Sequence, residues 1–228
     1  MNVKNLGEIK AVAFDIDGTL YAQWRIHLHA IFHYVLHGVF FLHYGLVRHE
    51  LHSMPPMPDL RKVQAELMAK RLKCSVQQAE EKLDKYVYTG LKKYFQAIPC
   101  YKYAYECISN LKNAGLKIAL LSDFPPEQKG EIWGIKVLCD VVLGTEAVGA
   151  LKPDKYSFLE MAKQLQVEPE KILYVGNSKK YDVNGSKAAG MKSAYLKAFR
   201  YRILPFLKVK NADICFTDYR QLEEFMLK

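Results

Sequence analysis

The chain has 228 residues, half of them apolar and a quarter charged, which is long enough to bury a sizeable core and excludes a disordered or low-complexity protein. Its formal charge of +9 favours anionic partners, but lysine and arginine are spread along the chain rather than gathered in a tail, so nucleic acid is not an expected partner. Five scattered cysteines without a CxxC pair, and a start at Met1–Glu8 with no apolar core, lead us to expect a reduced, cytoplasmic protein with no secretion signal.

The first apolar run, Ala11-Val12-Ala13-Phe14, predicts a buried strand that ends in the turn Asp15-Ile16-Asp17-Gly18-Thr19-Leu20. If strand geometry persists to Asp17, alternation puts both carboxylates on one face at the strand end. Such a pair can hold a divalent cation through hard oxygens, or divide nucleophilic attack and proton transfer between its members. The plainer reading is an Asp-Gly turn that only reverses the chain.

All seven histidines follow, between Ala22 and Ser53, embedded in large apolar residues. On a helix His29, His33, His37 and His43 share one sector, and Gly38 or Gly45 are the expected breaks. The uncharged stretch from Ala30 to Val47 meets the minimum length of a membrane span, but its histidines are costly in lipid. Metal binding by i,i+4 histidines is chemically allowed, with no third ligand type placed beside them. Helices of an accessory domain with histidines along a groove or solvent edge are the simplest reading of the stretch. Pro55-Pro56 and Pro58 end the segment. Asp59 caps a further helix with Leu60, Val63, Leu67 and Met68 inward, and Ser75 to Gln78 reads as a capping box. Residues 21–98 are therefore expected to be an all-helical insertion.

From Pro99 the rhythm is helix and strand in alternation. A helix to Ala114 stops at Gly115, and Leu116–Leu121 is a strand that delivers Ser122-Asp123. A short helix is expected over Glu127–Trp133, and a strand within Val137–Leu143. Pro153 is placed in the first turn of a helix to about Leu165. Ile172–Val175 is a strand that ends in Gly176-Asn177, and a helix then leads to Gly190. Strands at Ser193–Leu196 and Ala212–Phe216 and a last helix complete the chain. This is an α/β pattern, a Rossmann-like, mainly parallel sheet flanked by helices with an inserted helical cap; residues 1–20 and 99–228 form the core. Ligands of such sheets bind at the carboxyl ends of the strands, where Asp15, Asp17, Ser122, Lys152, Asn177 and Asp182 would converge. A hydroxyl, a cation and several carboxylates suit a phosphoryl group held beside a divalent ion. Taken singly, Ser122 could be a cap, Lys152 a solvated charge and Asp182 a first-turn helix carboxylate.

The segments FDIDGTL (14–20), LLSD (120–123), GALKP (149–153) and VGNSKKYDVNGSKAAG (175–190) occur in the order and spacing of the haloacid dehalogenase superfamily, and the chain resembles the members with a helical cap after the first motif. The resemblance covers Lys10–Leu20 and about Pro99–Leu196. It implies Asp15 as the nucleophile that forms an aspartyl-phosphate, and Asp17 as general acid and then general base. It further implies phosphoryl binding by Ser122, Asp123 and Lys152, and a Mg²⁺ ion held by Asp15, the Asp17 carbonyl, Asn177 and Asp182. Retention of an acid at Asp17 points to a phosphatase for a small phosphate monoester, because a leaving alkoxide needs a proton. A phosphate-binding member without turnover, a phosphomutase and a dehalogenase are the alternatives. Asn177 departs from the family, which commonly has Asp there; the amide offers an oxygen but removes a negative charge. The insertion is expected to select the substrate. The basic, aromatic stretch 197–210 reads as a solvated loop or, more sharply, as a contact for an anionic membrane surface.

Overall fold

The computed structural model describes residues 2–3, 6–197 and 211–228. A two-residue hairpin, β1 (Asn2–Val3) with β2 (Gly7–Glu8), precedes the central strand β3 (Ala11–Phe14), whose four side chains are all buried. The other strands are β4 (Lys117–Ser122), β5 (Val141–Gly144), β6 (Ile172–Gly176), β7 (Lys192–Leu196) and β8 (Ile214–Phe216). They form one six-stranded sheet in the order β5-β4-β3-β6-β7-β8, parallel throughout. Both faces of β3, β4 and β6 are covered, which explains why these strands read as continuous apolar runs rather than alternating ones. The strand order reverses between β3 and its two neighbours β4 and β6, so the loops after these strands meet at one switch point.

Between β3 and β4 the chain is helical: α1 (Gln23–His29), α2 (Ile31–Leu36), α3 (Gly38–Leu51), α4 (Leu60–Leu72), α5 (Val76–Leu83) and the short α6 (Lys92–Phe95). Asp59 accepts the Lys62 N–H, and the Ser75–Gln78 box closes in both directions, as the sequence predicts. The His-rich stretch is jointed at Ala30 and His37, whereas Gly45 remains inside α3. A glycine only lowers helix propensity by about 1 kcal/mol, and the tertiary packing of Phe40, Tyr44, Val47 and Leu51 outweighs that. No helix among the described residues is long and apolar enough to cross a membrane. The stretch 198–210 lies outside the described residues.

The second half supplies α7 (Ala104–Asn113), α8 (Thr145–Val148), α9 (Lys155–Leu165), α10 (Asn184–Ala188) and α11 (Tyr219–Leu227). Two expectations need correction. The expected helix over 127–133 is a series of 3₁₀ turns, because the backbone adopts positive φ at Gly130, Ile132, Trp133 and Gly134. Pro153 lies just outside α9, since Asp154 is the cap that accepts the Tyr156 N–H at 2.8 Å.

One glycine docks the insertion on the core. Gly149 has φ +89°, its carbonyl accepts the Met57 N–H at 2.9 Å, and a Cβ there would run into the Met57 carbonyl. Gly149→Ala is therefore expected to destabilise the protein by roughly 1–3 kcal/mol or more. A urea titration compared with wild type checks this.

Candidate active site

The carboxyl ends of β3, β4 and β6 bring the motif residues together. Asp15 follows β3 directly, its N–H donating to the Val175 carbonyl, so its side chain leaves the sheet at a fixed point. Lys152 reaches it from the loop before α9, with Nζ 2.7 Å from Asp15 Oδ1 and 2.8 Å from Asp182 Oδ1. All three are almost fully buried. Burial raises the Asp15 carboxyl, and although Lys152 opposes this it still sits at about 7. Burial alone would lower the Lys152 ammonium, but Asp15 and Asp182 hold it well above its ordinary value.

Asp182 is fully engaged. Its second oxygen accepts the N–H groups of Asn177 and Ser178 at 3.1 and 2.8 Å, which shapes the loop after β6. Against it lies Gly176, where a Cβ would overlap the Asp182 side chain. Thr19 spans the two motifs: its hydroxyl donates to Asp15 Oδ2 at 2.7 Å and lies 3.2 Å from Asn177 Oδ1. Gly18, at φ +87°, packs directly against the Asn177 amide.

Asp17 lies across from Asp15 and has its own partners. Oδ1 accepts the Tyr21 hydroxyl at 2.6 Å; Oδ2 accepts Ser122 Oγ at 2.9 Å and pairs with Lys129 Nζ at 3.0 Å. Burial alone would raise this carboxyl, but the Lys129 charge and hydrogen bonds from Tyr21, Lys129 and Ser122 hold it below the usual range. Asp123 points elsewhere: Oδ1 accepts the Thr145 hydroxyl at 2.8 Å and the Lys152 N–H at 3.1 Å. It braces the loop that carries Lys152.

Sequence reasoning did not single out Thr19, Tyr21, Lys129, Arg48 or Glu146. Thr19 lies within the first motif, and Tyr21 stands four residues after Asp17, so both were open to a local reading. Lys129 carries no such signal. Its buried ammonium lies 5.1 and 5.2 Å from the ring centres of Phe95 and Phe124, which only the fold brings together. Arg48 of α3 ion-pairs with Glu146 of α8, donates to Gln64 at 3.1 Å and donates to the Asp123 carbonyl at 2.9 Å. Tyr88 donates to the other Glu146 oxygen at 3.0 Å. His52 completes this closure by donating to the Lys152 carbonyl and stacking on Tyr181. The insertion is thus latched to the loops of the site by a buried polar network.

Two half-buried histidines pack within the insertion. His33 Nε2 donates to the Tyr86 carbonyl at 2.8 Å, and His37 stacks on the Tyr86 ring with 4.0 Å between centres. Among the described residues no group of three His, Cys, Asp or Glu side chains is arranged to hold a metal ion. At the motif loops the available donors are Asp15 Oδ2 and the Asn177 amide oxygen, both beside Thr19. They are hard oxygens, a set that suits Mg²⁺. A cavity of about 790 Å³ opens beside Gly18 and Asn177, bordered by Trp24, Arg25 and Lys102, though none of the buried carboxylates lines it.

A parallel sheet with an acid-bearing loop after its central strand, a buried lysine opposite and a helical insertion latched above defines a hydrolase of the haloacid dehalogenase type. The family model for haloacid dehalogenase-like hydrolases matches residues 9–190, and the chain belongs to that family. Among its relatives is the glyceraldehyde 3-phosphate phosphatase of Methanopyrus kandleri, 28% identical over 85% of this chain and 86% of that protein. The haloacid dehalogenase-like hydrolase domain-containing protein 3 of Mus musculus is 36% identical, but the match spans 38% of this chain and only 35% of the mouse protein. A phosphoglycolate phosphatase of Haemophilus influenzae is 29% identical over 51% of this chain and 53% of its own. Solved structures share the fold: a phosphatase from Thermococcus onnurineus (TM-score 0.63, 20% identity, 95% and 97% of the two chains) and a 2-haloacid dehalogenase from Pseudomonas syringae (TM-score 0.67, 18% identity, the same coverage).

Two predictions follow from the charges. The folded Asp15 carboxyl keeps its proton between about 4, the unfolded value, and about 7. The unfolded chain binds fewer protons in that window, so stability falls as pH rises through it. Asp15→Asn, measured in chelator, is expected to raise the melting temperature at pH 8 and to lose that advantage toward pH 4. Asp17 has the opposite sign, contributing stability above its unfolded value and losing it as pH falls through the lower folded one. Separately, Arg48→Met leaves Glu146 buried without its main partner and should cost about 3–5 kcal/mol in denaturant unfolding.

Proposed function

We propose that the protein is a Mg²⁺-dependent phosphatase that hydrolyses a small phosphate monoester, with residues 21–98 acting as the cap that selects the substrate. The observation that carries this reading is the second acid: Asp17 stands beside the nucleophile's loop with its oxygens held by Tyr21, Ser122 and Lys129. Release of an alkoxide needs a proton, whereas release of a halide does not, so an anchored acid here favours phosphate esters over carbon–halogen bonds. The names of two relatives refer to glyceraldehyde 3-phosphate and phosphoglycolate, and small phosphorylated compounds of that kind are the substrates to assay.

In this reading a carboxylate oxygen of Asp15 attacks phosphorus, and the bond from phosphorus to the ester oxygen breaks. Asp17 gives its proton to the departing alkoxide. Water then attacks the phosphorus of the aspartyl-phosphate, Asp17 takes the proton back, and inorganic phosphate leaves with Asp15 restored. In the free protein Lys129 favours ionised Asp17; the charge of a bound phosphate beside it opposes that preference and lets Asp17 carry the proton. Lys152 and Ser122 hold phosphoryl oxygens, while Asp123 and Asp182 act as positioning groups through the Lys152 loop and the turn after Gly176. When bound by Asp15, the Asp17 carbonyl and Asn177, Mg²⁺ would offset negative charge on the phosphoryl group.

A panel of phosphate monoesters with and without Mg²⁺ tests the reaction. Metal-dependent phosphate release that falls at least about a thousandfold in Asp15→Asn is expected; no release from any ester would instead favour a phosphate-binding member without turnover. Asn177 lacks the negative charge that an aspartate would give the metal. Asn177→Asp should therefore lower the Mg²⁺ concentration at half-maximal rate, which a metal titration reads directly.

A further inference from the structure

One face of the insertion has no partner among the described residues. Leu28, Phe32, Val35, Val39, Leu42 and Leu46 are 59%, 85%, 75%, 71%, 65% and 47% exposed. Their spacing alternates between four and three residues, which is the repeat of a helix seam built to meet another helix. The seam runs across the joints of α1, α2 and α3. Hydrogen bonds from Ala30 to Ile26, Tyr34 to Ala30, His37 to His33 and Phe41 to His37 keep the helical ladder going through both joints. The opposite face of the same rod supplies Ile26, Phe40, Tyr44, Val47 and Leu51 to the core, so the exposed row is not a displaced part of the interior.

Two glycines border this row. Gly38 and Gly45 are exposed, seven residues apart, and a Cβ at either would meet nothing within 4 Å. Each weakens its helix by about 1 kcal/mol relative to alanine. Among the described residues no close approach accounts for either one; a second helix crossing the row would, since small residues let backbones approach.

We propose that this face is a self-association seam, on which a second copy of this chain packs the same face antiparallel about a twofold axis. Charge and area both support that occupant. No Asp, Glu, Lys or Arg lies between Ile26 and Val47, so two copies of a +9 chain can meet here without opposing charges at the contact. The same absence argues against a lipid surface, because interfacial helices are rich in Lys and Arg on the polar face beside the buried one, and between Ile26 and Val47 there is none. At roughly 60–120 Å² for a fully exposed apolar side chain, the six seam residues with Trp24, Ile31 and Leu36 present on the order of 600 Å². That is the upper end of what a monomer leaves uncovered, about 300–600 Å². Pairing it with itself removes about 1,200 Å² in total, the lower limit of a specific, stable interface.

Sedimentation velocity of the full chain across a concentration series tests the proposal, with far-UV circular dichroism as the folding control. Wild type should sediment as a dimer. Leu42→Glu, at an exposed position in the middle of the row, should weaken the dimer at least about a hundredfold. Gly45→Leu is the sharper variant, because it adds helix propensity and its Cβ meets no described atom within 4 Å. It should raise the melting temperature or leave it unchanged, yet weaken the dimer at least about tenfold. Val137→Glu, exposed on a turn of the core, should leave the dimer intact. A monomeric wild type overturns the proposal, as does an unaltered dimer in both seam variants. A monomer that cosediments with phosphatidylglycerol–phosphatidylcholine vesicles would also overturn it, assigning the face to a lipid surface.

Discussion

The site is organised by one buried cation between two carboxylates. Lys152 is the ammonium that makes it tolerable to bury Asp15 beside Asp182, and each of the three comes from a different loop at the carboxyl edge of the sheet. Removing Lys152 would cost more than the group contributes, because two carboxylates would be left without their cation in a poorly solvating environment. The three loops therefore hold one another. Asp182 in turn fixes the backbone at Asn177 and Ser178, and Asp123 fixes the backbone of Lys152 itself. The sheet sets where these loops start, and the charges set where they end.

The same principle works a second time one layer out. Arg48, Glu146, Gln64 and Tyr88 satisfy one another in the joint between insertion and core, and Arg48 also reaches the carbonyl of Asp123. The insertion is thus registered on the residue that braces the Lys152 loop. Lys129 extends this arrangement to Asp17, with Phe95 from the insertion and Phe124 from the core on either side of its ammonium. A charge enclosed by aromatic rings and one carboxylate has little access to water, which strengthens its grip on Asp17.

Much of this was legible in the chain. The apolar runs of β3, β4 and β6 announced a sheet covered on both faces, and the Asp59 cap and the Ser75 box marked helix starts within a residue. The motif residues could be placed at strand ends because parallel strands bring their carboxyl ends to one edge. What escaped was non-local. Arg48 and Glu146 are 98 positions apart, and Lys129 meets Asp17 from 112 away. No local pattern encodes such pairs. The turns at 126–138 escaped because Ile132 and Trp133, residues with no evident preference for it, adopt positive φ. Asp182 was recognised as a site residue, but only the fold shows that its oxygens are spent on Lys152 and two N–H groups.

The loop after β6 has a consequence for how the protein ages. Asparagine side chains followed by a small residue can lose ammonia when the next backbone nitrogen attacks the side-chain carbonyl and closes a five-membered imide. At Asn177 that nitrogen belongs to Ser178, and its hydrogen is held by Asp182 at 2.8 Å. Gly18 faces the amide from the other side, at a place where any larger residue would overlap it. The hydrogen bond that shapes this loop therefore also ties up the one backbone nitrogen whose attack would turn the amide of residue 177 into an acid.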